Sequence, residues 1–156
     1  LSRLSKAAAC PVLLAAGTFP YEKVAVPCLS GFDLQSVLET TFELSSSLNC
    51  RTEALFIELS KYIFSEEEMA WRDSMKKAVA DLSTAYKITI RERTLKGNPI
   101  LQMLEALPEY NLLVADAGRW RPPRPLSSLL NPDVPWEVVK KAPISTLLVP
   151  AVEESL

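Results

Sequence analysis

Asn111-Leu-Leu-Val-Ala115 is the stretch that decides the fold. It has no polar interruption after Asn111. A strand exposed on one face would alternate apolar and polar residues, so an unbroken run implies a central parallel strand covered on both faces. Working outward, Lys23-Val-Ala-Val-Pro27, Glu53-Ala-Leu-Phe-Ile57 and Ser145-Thr-Leu-Leu-Val-Pro150 read as further buried strands. Lys87–Arg93 alternates Ile88 and Ile90 with Thr89 and Arg91, as a half-exposed edge strand does.

Between these runs the apolar spacing changes to three and four. Leu34, Val37, Leu38, Thr41, Leu44 and Leu48 line one face of a helix over Asp33–Leu48, with Asn49 as its stop. Ser65 and Glu68 form a capping box ahead of a helix facing inward with Met75, Ala78, Val79, Leu82 and Tyr86. After Gly97, Asn98 is a natural N-cap and Pro99 suits the first helical position; Ile100, Leu104 and Leu107 face inward. Asp116–Pro125 is a loop, and a short helix over Asp133–Lys141 is stopped by Pro143. The order β-α-β-α-β-α-β-α-β implies right-handed crossovers and a mostly parallel sheet with helices on both faces. Residues 1–20 fall outside this count. Ala9-Cys-Pro-Val-Leu-Leu-Ala15 is similar to Lys141–Pro150, so the segment is either an extra strand of this domain or the last strand of a preceding similar domain. The expected domain proper is 21–156.

The 156 residues suit one domain, and 17 basic against 19 acidic side chains leave no basic excess for a polyanion, so no nucleic-acid partner is expected. The chain has no histidine, which removes His-based acid/base catalysis, Ser-His and Cys-His nucleophiles, and most zinc sites. Cys10, Cys28 and Cys50 make no CxxC pair and read as reduced thiols of a cytoplasmic protein. The longest apolar runs, Ala7–Gly17 and Ala142–Val152, contain prolines and fall short of the ~20 residues that span a bilayer.

From Tyr21 to Pro150 the chain resembles the universal stress protein family. The resemblance rests on Val24-Ala-Val-Pro27 before a loop and long helix, Gly97-Asn98-Pro99, Asn111-Leu-Leu-Val-Ala115, Val138-Val-Lys-Lys-Ala-Pro143 and Leu147-Leu-Val-Pro150. It implies a doubly wound open α/β sheet of five parallel strands, order 3-2-1-4-5. Nucleotide-binding members carry an acidic residue just after the first strand and a Gly-x2-Gly-x9-Gly-Ser/Thr loop after the fourth. There, backbone N–H groups close on phosphates. Here the acidic position falls at Leu29, Asp116 stands where the first glycine meets the phosphate, and Pro132-Asp133 replaces Gly-Ser/Thr. Proline removes a donor and aspartate repels phosphate, so no nucleotide or other cofactor is expected.

No catalytic or metal residue is expected either. Glu66-Glu-Glu68 suits a helix's first turn, where the macrodipole favours anions, better than a metal. Cys28 lies at a strand's carboxyl end, but nothing in the chain is suited to activate it. Trp136 reads as a packing anchor. Around Arg119-Trp-Arg-Pro-Pro-Arg124, the set Gly118, Arg119, Arg121 and Arg124 has two readings. It could hold an anion through paired guanidinium donors, or it is a rigid solvated surface loop, which is the preferred reading.

The resemblance implies a non-catalytic cytoplasmic regulatory module, either half of a tandem stress protein or the soluble tail of a membrane transporter at the membrane's cytoplasmic face. The alternative is an ATP-binding stress protein with a remodelled phosphate loop. Self-association is expected through the last strand, at Leu147, Leu148 and Val149, as a homodimer or a tandem pseudo-dimer. An uncovered apolar edge strand is an aggregation template and must be paired. A charge at Leu148, for instance Leu148→Lys, is accordingly expected to disrupt association or cause precipitation.

Overall fold

The computed structural model describes residues 10–29, 34–58, 66–117 and 134–150. Its elements are β1 (Val12–Leu14), β2 (Lys23–Cys28), α1 (Leu34–Leu48), β3 (Arg51–Glu58), α2 (Glu66–Tyr86), β4 (Arg91–Lys96), α3 (Pro99–Ala106), β5 (Leu112–Asp116), α4 (Val134–Lys141) and β6 (Ser145–Val149). A single 3-10 turn, Leu107–Glu109, follows α3. Among the described residues no helix is long and apolar enough to cross a membrane.

The sheet order is β1-β6-β5-β2-β3-β4. The five parallel strands β2 to β6 therefore take the expected 3-2-1-4-5 order. The sheet nevertheless has six strands rather than five, because β1 pairs antiparallel with β6. Period-two alternation sends the side chains of each central strand into two cores. Val24 and Val26 of β2, with Leu112 and Val114 of β5, pack beneath Leu34, Val37, Leu38 and Phe42 of α1 and Val79 of α2. Ala25, Leu55, Leu113, Ala115 and Leu148 face the opposite side, against Met103 and Ala106 of α3 and Val138 and Val139 of α4. Every residue of β5 is buried, as a strand with helices on both faces requires.

Helix boundaries follow the local chemistry. Asn98 accepts hydrogen bonds from the N–H groups of Ile100 and Leu101, both at 3.1 Å, and Pro99 begins the helix. Asn49, at φ 51°, ends α1 in the left-handed region that asparagine tolerates. On α1 the buried face includes Phe42 and Ser45, whereas Leu48 is exposed, one turn beyond the core. Buried Ser45 instead pairs its hydroxyl with Thr52 of β3 at 2.5 Å. The edge strand differs in position from the sequence expectation. Lys87, at φ 56°, closes α2, Ile88 and Ile90 drop into the core beneath α1 and α2, and the ladder with β3 begins only at Arg91 opposite Glu53. Its exposed residues, Arg91, Glu92, Thr94 and Lys96, are polar, which blunts the outer edge. The capping-box residue Ser65 lies outside the described residues.

Helix capping yields a direct stability test. Asn98→Ala leaves two first-turn N–H groups without their acceptor and should cost about 1 kcal/mol. For a domain of this size that lowers the melting temperature by roughly 2–4 °C, measurable by calorimetry. Asn98→Ser should restore most of the loss.

Candidate functional site

In an open parallel sheet, a ligand crevice forms outside the carboxyl ends of the strands where the order reverses, here between β2 and β5. β2 ends at Cys28, which is buried and reaches the Val26 carbonyl at 3.8 Å. Burial, with the Glu92 charge adding to it, pushes the thiol up to about 12. At that value almost no thiolate exists near neutrality, so Cys28 is an inert core group rather than a nucleophile.

Leu29 follows directly and is 5% exposed, clustered with Leu55, Leu113, Ala115 and Ala117. The position expected to carry an acidic partner for a ligand is thus part of the hydrophobic core. At the carboxyl end of β5, Asp116 is 6% exposed opposite Val149. The next residue, Ala117, donates its N–H to the Val149 carbonyl at 2.8 Å and prolongs the ladder beyond the strand. That N–H is committed to the sheet and is not available to a phosphate. The Arg-rich loop, with Gly118, Arg119, Trp120, Arg121 and Arg124, lies outside the described residues, as does Pro132-Asp133.

Other groups singled out from sequence fall where their chemistry suggests. Glu66, Glu67 and Glu68 occupy the first turn of α2. Trp136 packs partly buried against the core beneath α3 and α4. Of the residues expected at an interface, Leu148 and Val149 are buried in opposite cores of the domain and Leu147 is partly buried. A strand pairs through its backbone while its side chains point to the sheet faces. Leu148→Lys would therefore place a charge in the domain's own core. The backbone edge of β6 is taken by β1, with Val12, Leu13 and Leu14 opposite Leu148, Leu147 and Thr146.

Two polar clusters escape a reading of the sequence. In the first, the Tyr110 hydroxyl donates to Glu53 at 2.5 Å, and Arg93 makes a bidentate contact with Glu109 at 2.9 and 3.0 Å. Arg93 also reaches the Tyr110 hydroxyl at 3.3 Å, and the Lys23 ammonium lies 5.2 Å from the Tyr110 ring centroid. Burial first, then the Glu53 contact, pushes the phenol up to about 12, so it stays a donor and ties β2, β3 and β4 together. The second joins the N-terminal segment to the amino ends of β5 and β6. Thr18 Oγ1 donates to the Asn111 carbonyl at 2.6 Å and lies 2.8 Å from Ser145 Oγ. Its members stand 93 and 127 residues apart in sequence, so no local signal announces them.

Among the described residues, open depressions occur at the other end of the sheet. One of about 760 Å³ is lined by Phe19, Pro20, Tyr21, Lys23, Leu48 and Arg51. The other, of about 470 Å³, lies between α2 and the start of β4. Neither is near the β2/β5 switch point.

No protein-family model and no curated protein matches the chain. Solved structures do. A universal stress protein in complex with cAMP is 22% identical, with a TM-score of 0.58, over 83% of this chain and 96% of that one. A universal stress protein from Archaeoglobus fulgidus in complex with dAMP is 12% identical, with a TM-score of 0.61, over 83% and 98%. The domain has the universal stress protein fold. Another such protein, from Archaeoglobus fulgidus DSM 4304, superposes on 99% of this chain but only 54% of its own length, at 11% identity and a TM-score of 0.61.

The contrast between the thiols gives a test. In the native protein at mildly alkaline pH, a thiol reagent should label exposed Cys10 promptly and leave Cys28 intact. Cys28 should react only after unfolding, as read by peptide mass mapping; native labelling of Cys28 would contradict its burial.

Proposed function

We propose that this is a non-catalytic regulatory or interaction module built on the universal stress protein fold, working in the cytoplasm as one half of a paired-domain protein without bound nucleotide. The observation that carries it is Leu29, buried in the core where a nucleotide-binding relative would present an acidic side chain. Asp116 supports the same reading, because a carboxylate at the β5 terminus repels phosphate. A chain without histidine, whose strand-end cysteine is held protonated, has little with which to do chemistry.

The pairing proposal rests on β1. In antiparallel register, Leu13 sits opposite Leu147, and the Val12-Leu13-Leu14 sequence matches Thr146-Leu147-Leu148 about that centre. A local twofold axis relating similar strands is the geometry of an isologous interface. It suits a β1 that belongs to a preceding copy of the fold. The superposition of 99% of this chain on about half of a longer universal stress protein supports it. A membrane transporter domain ahead of this one remains the other form of the same regulatory role.

Nucleotide binding is the second reading, favoured by the neighbours solved with cAMP and dAMP. Calorimetric titration with ATP and with AMP separates the two. The proposal expects no binding at physiological nucleotide levels, and a micromolar dissociation constant would establish the second reading instead.

A further inference from the structure

A three-residue strand is a weak hold on a sheet edge, and the centre of β1 is poorly covered, with Leu13 47% exposed. Four polar contacts beyond the strand compensate. Ala16 donates its N–H to Ser145 Oγ at 2.9 Å, and the Ser145 N–H donates to Thr18 Oγ1 at 3.0 Å. Thr18 in turn donates to the Asn111 carbonyl at 2.6 Å, with the two hydroxyls 2.8 Å apart. Ser145 is fully buried, so its N–H has no solvent to fall back on. Thr18 thus satisfies the first N–H of β6 and the carbonyl preceding β5 with one oxygen.

Now consider the strand that competes for the same edge, the β6 of a second copy. Centred on Leu147, that pairing keeps both leucines of the one seen here and replaces Val12 by Thr146. The residue matching Ala16 would be Pro150, which has no N–H, and the residue matching Thr18 would be Val152, which has no hydroxyl. None of the four contacts can be reproduced.

We propose that Thr18 and Ser145 form a latch that keeps residues 10–20 strapped over β6, and that releasing it opens this edge to a second copy of the chain. The latch, rather than the apolar strand, then sets the choice between pairing within the chain and pairing between chains. The inference does not depend on whether nucleotide binds or on what precedes the strap.

The test combines hydrogen exchange with light scattering on the whole chain. The wild type should be monomeric, with those amides of Val12–Leu14 that face β6, at Val12 and Leu14, protected. Thr18→Val keeps the side chain's shape but leaves two backbone groups unpaired. It should speed exchange at Val12 and Leu14 by about tenfold or more, the order expected for a lost buried hydrogen bond, while the β2 and β5 amides stay protected. A concentration-dependent dimer should appear together with that release. Ala16→Pro removes the other donor at an exposed position and should do the same, and Thr18→Ser should restore the monomer. The proposal is overturned if both disrupting variants leave β1 protected, if β1 is released without dimerisation, or if the wild type is already a dimer.

Discussion

β5 is buried along its whole length, and that constraint organises the domain. Its backbone must pair on both edges, which it does with β2 and β6, and its side chains must meet apolar surface on both faces. Helices α1 and α2 cover one face while α3 and α4 cover the other. Because parallel neighbours need crossovers, placing β5 beside β2 puts the reversal of strand order between these two strands. Whatever the domain does at that crevice is decided by the residues that end β2 and β5.

The residues there, Cys28, Leu29, Asp116 and Ala117, are all buried. Leu29 turns into the core, Ala117 spends its N–H on Val149, and Cys28 is held as a neutral thiol by burial. The same fold in relatives solved with cAMP or dAMP shows that the scaffold is compatible with a nucleotide. Fold alone does not carry a function from one protein to another; the side chains at the site do. Within the chain, β1 takes the backbone edge of β6.

Much of this was legible in sequence because it depends on local pattern. The uninterrupted Leu112–Ala115 run, the 3–4 spacing along α1 and the Asn98-Pro99 start of α3 each carry their own physical signature. The 3-2-1-4-5 order followed from the alternation of these elements and the family resemblance. The burial at these strand ends was legible in part: Leu29 is conspicuous by identity, but only the fold shows it buried. Two things were hidden. The β4 boundary shifted because a helix ending on Lys87 displaced Ile88 and Ile90 from the ladder into the core, and strand periodicity cannot see where pairing starts. The Thr18–Ser145–Asn111 contacts and the Tyr110 cluster join residues far apart in the chain, and ordinary Thr, Ser and Glu residues advertise nothing until the topology brings them together.

The proposal that the buried ends of β2 and β5 take no nucleotide is tested by amide chemical shifts in solution. On addition of ATP, the Cys28, Leu29, Asp116 and Ala117 amide resonances of isotope-labelled protein should remain in place. Saturable shifts confined to these four residues would show a ligand at the β2/β5 crevice and would contradict the account.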